Sequence, residues 1–118
     1  MADEPDMLDH EKLDVYQCAI KFLALVFGWL PRLPRGYSAL VDQWRRSAMS
    51  VSLNIAEGTG KVSIDDRKNK YAIARGEAME CGAIIDVVRL LGTIPEAELI
   101  EGKALIVREV EMLTRMCR

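Results

Sequence analysis

The clearest alternation of apolar and polar positions lies between residues 40 and 58. Apolar side chains recur there at steps of three or four residues, and a second, entirely polar stripe runs beside them at the same spacing. This pattern predicts an amphipathic helix from about residue 39 to 57, with a core face and a polar contact face. The apolar stripe contains Leu40, Trp44, Ala48, Val51 and Ile55, and the polar stripe contains Gln43, Arg46, Ser50, Asn54 and Glu57.

Ser50 and Asn54 are unusual in the middle of a helix, because their side chains compete with the backbone for hydrogen bonds. We therefore expect the polar stripe to meet another protein surface rather than water. Ser38 is suited to cap the start of this helix, and Gly58 is expected to end it in a left-handed conformation.

Three further helices follow from the same periodicity. The first is predicted from about Asp9 to Trp29, the third from Ser63 to Leu91, and the fourth from Glu96 to Met116. Gly76 and Gly82 inside the third helix indicate close approach of a neighbouring helix. Short connections between four amphipathic helices predict an all-α, antiparallel up-down-up-down four-helix bundle over residues 9–118, after an acidic flexible tail at residues 1–8.

The first helix carries two apolar stripes, and the core of one small bundle cannot bury both of them. The excess predicts a subunit interface and hence an oligomer, with a ring as the expected form. We assign that interface to the stripe that contains Val15, Phe22, Val26 and Trp29.

Composition narrows the class of protein. Half of the residues are hydrophobic and only 6% are aromatic, which favours helices. The longest apolar run, nine residues ending at Leu30, is too short to cross a bilayer, and the acidic N-terminus does not resemble a secretory signal. Cys18, Cys81 and Cys117 show no pairing motif and are expected to be buried reduced thiols. A cytoplasmic protein without membrane contact is predicted.

The charge is uneven along the chain. Residues 1–14 hold six acidic side chains and one lysine, whereas residues 30–75 hold nine basic and four acidic side chains. We expect the basic residues near helix ends and loops to form a surface for a phosphate backbone, although an ordinary solvated surface is the competing interpretation. These candidates are Arg32, Arg35, Arg45, Lys61, Arg67, Lys68 and Lys70.

Catalytic chemistry finds little support. His10, the only histidine, lies in the acidic N-terminal tip, where we do not expect it to serve a serine as base, so a Ser–His triad is excluded. A histidine–carboxylate metal bundle is excluded because the sequence contains no Glu-x-x-His pair. The run Gly58–Lys61 lacks the strand and the Ser or Thr of a phosphate-binding loop. Glu57, Glu77 and Glu80 could hold a cation, but ion pairs with Arg46 and Arg75 are favoured. The expectation is a protein that is not an enzyme and has no metal or cofactor.

Three blocks resemble a known family. They are Asn54-Ile55-Ala56-Glu57-Gly58, the run from Tyr71 to Gly76 followed by Glu80, and Leu13-Asp14-Val15-Tyr16. They resemble the bacterial four-helix-bundle proteins called 23S rRNA intervening-sequence proteins, although Glu77 stands where that family has Ser. Within the resemblance, the signature and interhelix polar residues are Arg46, Ser50, Asn54, Glu57, Arg75 and Glu80.

The resemblance implies the same bundle and a homo-oligomeric ring of five subunits. It also implies an association with ribosomal RNA, and a related bundle, the accessory variability determinant of diversity-generating retroelements, binds a reverse transcriptase and nucleic acid. The predicted function is a non-catalytic oligomeric scaffold that binds structured RNA or DNA through its basic loops. The alternative is a protein–protein assembly module that holds a partner enzyme and does not bind nucleic acid directly.

Overall fold

A computed structural model describes residues 6–118, and within that range it contains helices and no strands. Each α-helix packs against the next in the chain, and the fourth closes against the first. Short connections reverse the chain three times, which confirms the predicted four-helix bundle. The helices are α1 (Asp14–Trp29), α2 (Ser38–Thr59), α3 (Ile64–Leu91) and α4 (Glu96–Met116), with 3-10 helices at Asp9–Lys12 and Leu30–Arg32.

The N-terminal region differs from the prediction. Most of the expected acidic tail, residues 1–5, lies outside the described residues. The first α-helix begins at Asp14 rather than Asp9. Residues 9–12 form a 3-10 helix instead, and the backbone is extended at Leu13, between the two helices. The Leu8 amide donates to the Glu11 carboxylate at 3.1 Å, which fixes the start of that turn.

Gly58 does not end α2 as expected. The helix continues to Thr59, and only Gly36 and Gly92 have positive φ among the described glycines. Gly58 instead lies buried where α2 meets α3, and a Cβ atom there would lie 2.9 Å from Cε1 of Tyr71. The glycine is therefore required for close helix packing, and it allows the Tyr71 hydroxyl to reach Thr59 Oγ1 at 2.9 Å.

The predicted helix caps and the predicted glycine contacts of α3 are confirmed only in part. Ser63 caps α3 as expected, because its Oγ accepts from the Asp66 amide at 3.2 Å. Gly82 lies close to α4, because a Cβ atom there would lie 3.4 Å from Cγ2 of Ile106. Gly76 has open space beside it, so the prediction of close packing there is wrong. Ser38 is the first helical residue of α2 and not its cap.

The core divides into two clusters along the bundle. One surrounds Trp29, whose ring stacks on Trp44 with centroids 5.3 Å apart, while its Nε1 donates to Glu98 at 3.1 Å. Gly102 provides the space for this ring, since a Cβ atom there would lie 2.5 Å from Trp29 Cη2. The other cluster, toward the opposite end, contains Val15, Ala19, Val51, Ile55, Tyr71, Ala74, Ala78 and Leu113.

The predicted location of the subunit interface is wrong. Val15, Phe22, Val26 and Trp29 are at most 2% exposed, because they form the face of α1 that fills the core of the same chain. The neighbouring stripe of α1 is the exposed one, with Ile20 and Phe27 on the surface.

None of the helices in residues 6–118 has the length and apolar character that crossing a membrane requires.

Candidate functional site

A polar network joins α2 to α3 at the signature residues. Arg46 pairs with Glu77 at 3.2 Å and with Glu80 at 3.6 Å. Glu80 also accepts hydrogen bonds from Ser47 and Gln43. The Ser47 and Gln43 donors and the Arg46 charge hold the pKa of the Glu80 carboxyl below its usual value, against an opposing effect of burial. These carboxylates therefore act as ion-pair partners between two helices.

Asn54 and Ser50 behave differently from the expectation. Asn54 Nδ2 donates to the Ser50 carbonyl and to Ser50 Oγ, both at 2.9 Å, so its amide bonds within α2. Both side chains remain half-buried. The polar stripe thus satisfies part of its own hydrogen-bonding capacity. It reaches α3 at Gln43, Arg46 and Glu57, and the adjacent Ser47 adds a further contact.

The three candidate cation ligands, Glu57, Glu77 and Glu80, do not converge on one point. Glu57 contacts Lys70 at 3.2 Å and Lys61 at 3.8 Å near the end of α2, whereas Glu77 and Glu80 contact Arg46 farther along α3. In the described part of the chain, no group of three or more His, Cys, Asp or Glu side chains could hold a metal ion. Arg75 pairs with no carboxylate of residues 6–118; its Nε instead donates to Thr114 Oγ1 at 2.8 Å.

The predicted basic residues do not form one patch. Arg32 and Arg35 lie in the α1–α2 connection, which is separated from the α2–α3 connection by the length of α2. A 22-residue helix is about 33 Å long. Arg32 is bound by both oxygens of Glu98, at 2.8 and 2.9 Å, and Arg45 by Asp42 at 3.0 Å. Both of these side chains are therefore partly neutralised.

A smaller basic cluster remains at the α2–α3 end. Lys61 and Lys70 share Glu57, and Arg67 Nε donates to the Lys61 carbonyl at 2.7 Å. Lys68 has no hydrogen bond or ion pair with any residue in 6–118. The cluster that the structure brings together is Lys61, Arg67, Lys68 and Lys70.

Two exposed apolar faces lie on opposite sides of the bundle. The α1–α2 face consists of Ile20, Phe27, Met49 and Leu53, the last two being 38% and 60% exposed. The α3–α4 face consists of Met79, Val107 and Ile100, all at least 45% exposed. Met79 and Val107 line a groove of about 390 Å³ whose wall includes Gly82, Ile106 and Val110. Within one bundle, the α1–α2 pair and the α3–α4 pair are on opposite sides. The two apolar faces therefore point in opposite directions.

Comparison with known proteins identifies the family. The profile of the 23S rRNA-intervening sequence protein family matches residues 11–115, which is most of the chain. This chain belongs to that family.

A solved structure supports the fold of this 23S rRNA-intervening sequence family member. The chain is similar to a protein of unknown function from the S23 ribosomal protein family of Bacteroides thetaiotaomicron, with a TM-score of 0.79 and 20% sequence identity. The similarity covers 88% of this chain and 98% of that one. Comparison with curated proteins gives no match.

The most unusual side chain in this 23S rRNA-intervening sequence family member is Glu109 on α4. It is fully buried, and neither carboxyl oxygen has a hydrogen-bond partner in the described residues. Desolvation raises the pKa of Glu109 to about 8, so the carboxyl is largely protonated at neutral pH. Its position, three residues after Ile106 and four before Leu113, was a signal in the sequence that the stripe analysis missed.

Proposed function

We propose that this chain forms a closed homo-oligomeric ring through head-to-tail contacts, and that the ring is a non-catalytic scaffold. The observation that carries this proposal is the pair of exposed apolar faces. Two different faces on opposite sides of one subunit allow the α1–α2 face of one copy to pack on the α3–α4 face of the next. Such heterologous contacts generate rings when the rotation closes.

The two faces have matching character. Phe27 and Ile20 project from α1 as large side chains, while the α3–α4 face offers a groove between its helices. Water-exposed apolar patches of this kind mark interaction surfaces in soluble proteins. A ring of five, the number that the family resemblance implies, is the expected size. The proposed role is cytoplasmic and requires no cofactor.

The oligomer is tested by native mass spectrometry and light scattering of variants. Phe27→Glu and Val107→Glu each place a charge on one face, and both are expected to give monomers that keep their helical circular dichroism. Val62→Glu is the matched control, because Val62 is 96% exposed in the α2–α3 connection, away from both faces. A ring that survives both face variants would rule out this pairing, and dissociation by Val62→Glu would place the contact elsewhere.

A second proposal concerns RNA. In such a ring the subunits share one orientation, so the cluster of Lys61, Arg67, Lys68 and Lys70 would recur around a single rim. A repeated cationic rim suits the phosphate backbone of structured RNA, which proteins recognise largely by shape. The number of cations favours this end: four basic side chains gather here and two of them share Glu57, whereas the opposite end has Arg35 and an Arg32 that is bound by both oxygens of Glu98.

Fluorescence anisotropy of a labelled structured RNA tests this second proposal, at about 50 and 200 mM salt, where phosphate contacts weaken sharply. Lys68→Glu should weaken binding and flatten the salt dependence, whereas Arg35→Glu at the other end should leave both unchanged. Absence of binding at the lower salt would favour the alternative role, a protein–protein assembly module that holds a partner enzyme.

A further inference from the structure

Four ionisable groups act on Cys18, where α1 packs on α4: Glu109, Lys21, Arg108 and Asp14. Glu109 is fully buried in the core, and neither of its carboxyl oxygens has a hydrogen-bond partner within residues 6–118. Lys21 and Arg108 lie on the outer side, on the walls of a groove of about 500 Å³ between α1 and α4. Neither cation forms a hydrogen bond or ion pair with residues 6–118. The Glu101 carboxylate also lines this groove, and Asp14 lies one turn before Cys18 on α1. The buried carboxyl of Glu109 and the two cations thus belong to the same α1–α4 contact.

The electrostatics at Cys18 support this placement. Burial raises the pKa of its thiol most strongly, Arg108 and Lys21 lower that pKa, and Glu109 raises it further. Asp14 raises it slightly as well, so all four groups act on one buried atom. From α3, Cys81 also faces Glu109, and burial raises the pKa of its thiol. The buried side chains of α2 are uncharged.

We propose that the contact between α1 and α4 opens locally at Cys18, and that Glu109 then loses its proton to solvent and pairs with Lys21 and Arg108 in the groove. In the closed state the neutral carboxyl is buried with both oxygens unsatisfied, which is costly. In the open state the carboxylate gains water and two opposite charges, while apolar contacts at the helix pair are lost. The chain thus contains two arrangements of α1 and α4 whose balance depends on one proton.

Proton linkage gives the direction and size of the pH effect. The closed state keeps the Glu109 proton up to about pH 8, whereas the exposed carboxylate of the open state releases it near the ordinary value of 4.5. Between these values the opening equilibrium rises about tenfold per pH unit, and above pH 8 it levels off because both states are then ionised.

Thiol labelling of the native protein tests the proposal. Iodoacetamide pulses at several pH values, followed by peptide mass spectrometry, give separate labelling rates for Cys18 and Cys81. The protection of each thiol is its labelling rate in the denatured chain divided by its rate in the native protein at the same pH. Protection of Cys18 should fall about tenfold per unit between about pH 6 and 7.5. Protection of Cys81 should remain higher. Equal loss of protection at both thiols would indicate global unfolding and overturn the proposal, as would a flat Cys18 profile.

Substitutions of Glu109 and Arg108 test whether these two side chains cause the pH effect. Glu109→Gln cannot ionise and should remove the pH dependence at Cys18. Arg108→Met should increase Cys18 protection severalfold in the wild-type background and have no such effect in the Glu109→Gln background. This comparison separates the pairing from any direct influence of Arg108 on the thiol. Arg115→Met is the matched control on the same helix. An equal Arg108→Met effect in both backgrounds would refute the pairing.

Discussion

Replacement of Glu109 by glutamine should stabilise the bundle at neutral pH. The side chain is fully buried, and its pKa lies near 8 rather than near 4.5. Folding at pH 7 therefore requires protonation of a carboxyl that is ionised in the unfolded chain. At about 1.4 kcal/mol per pH unit, this costs about 3 kcal/mol at pH 7. That cost is a large fraction of the usual stability of a domain.

The sign of the pH dependence follows from the raised pKa. The native state binds one more proton than the unfolded state between about pH 4.5 and 8, so the contribution of Glu109 to stability is full below 4.5 and is lost as pH rises through 8. Other shifted carboxyls act outside this range, because the pKa values of Glu80 and Glu98 are lowered by their partners. Burial raises the pKa of both Cys18 and Cys81 further above neutrality.

Urea unfolding followed by circular dichroism at intervals between about pH 5 and 8 measures the effect. Wild type should lose about 1.4 kcal/mol per pH unit relative to Glu109→Gln, and the variant should be about 3 kcal/mol more stable at pH 7. Glutamine has a similar shape and is also unpartnered, so the difference isolates the protonation cost. Glu111→Gln is the control, since Glu111 is exposed on the same helix. Parallel pH profiles for wild type and Glu109→Gln would refute the reasoning.

Three further changes test the packing. Gly102→Ala should destabilise the fold by about 1–3 kcal/mol in thermal melts, because its methyl group would lie 2.5 Å from the Trp29 ring; a wild-type melting temperature would contradict that contact. Gly58→Ala should cost a similar amount through Tyr71, and relief of the loss by Tyr71→Leu in the double variant would verify the cause. Arg46→Met should lower stability by about 1 kcal/mol or more, since it leaves Glu77 and Glu80 without their cation; added salt should reduce the difference, and a salt-independent loss would indicate a packing defect instead.

Helix periodicity predicted the bundle well, because the stripes of α2, α3 and α4 are the buried ones. It failed on α1, where two apolar stripes adjoin and spacing alone does not tell which of them faces the core. Phe22 was placed on the surface and is buried, whereas Phe27 is exposed. Which stripe faces the core depends on neighbours such as Gly102, which is 80 residues from Phe22 in sequence and leaves room for the Trp29 ring.

The candidate site was harder to predict from the sequence. The ion pair of Arg46 with Glu77 follows from the topology, and the sequence predicted it. The dispersion of the basic residues over two ends also follows from antiparallel helices, because consecutive loops lie at opposite ends. Glu109 was missed because periodic analysis treats one acidic residue in an apolar stripe as a tolerated exception. Whether Glu109 is buried, and whether it finds a hydrogen-bond partner, depends on side chains from other helices.

The stacked indoles have a consequence for how this protein is observed in solution. Trp29 and Trp44 are the only tryptophans, and both belong to the same core cluster. Intrinsic fluorescence therefore reports on one end of the molecule, while the cluster around Ile55 and Leu113 emits no tryptophan signal. Circular dichroism averages over all four helices. Agreement between the two signals during unfolding would show that both ends of the bundle melt together, and a lag would reveal that each end unfolds as a separate unit.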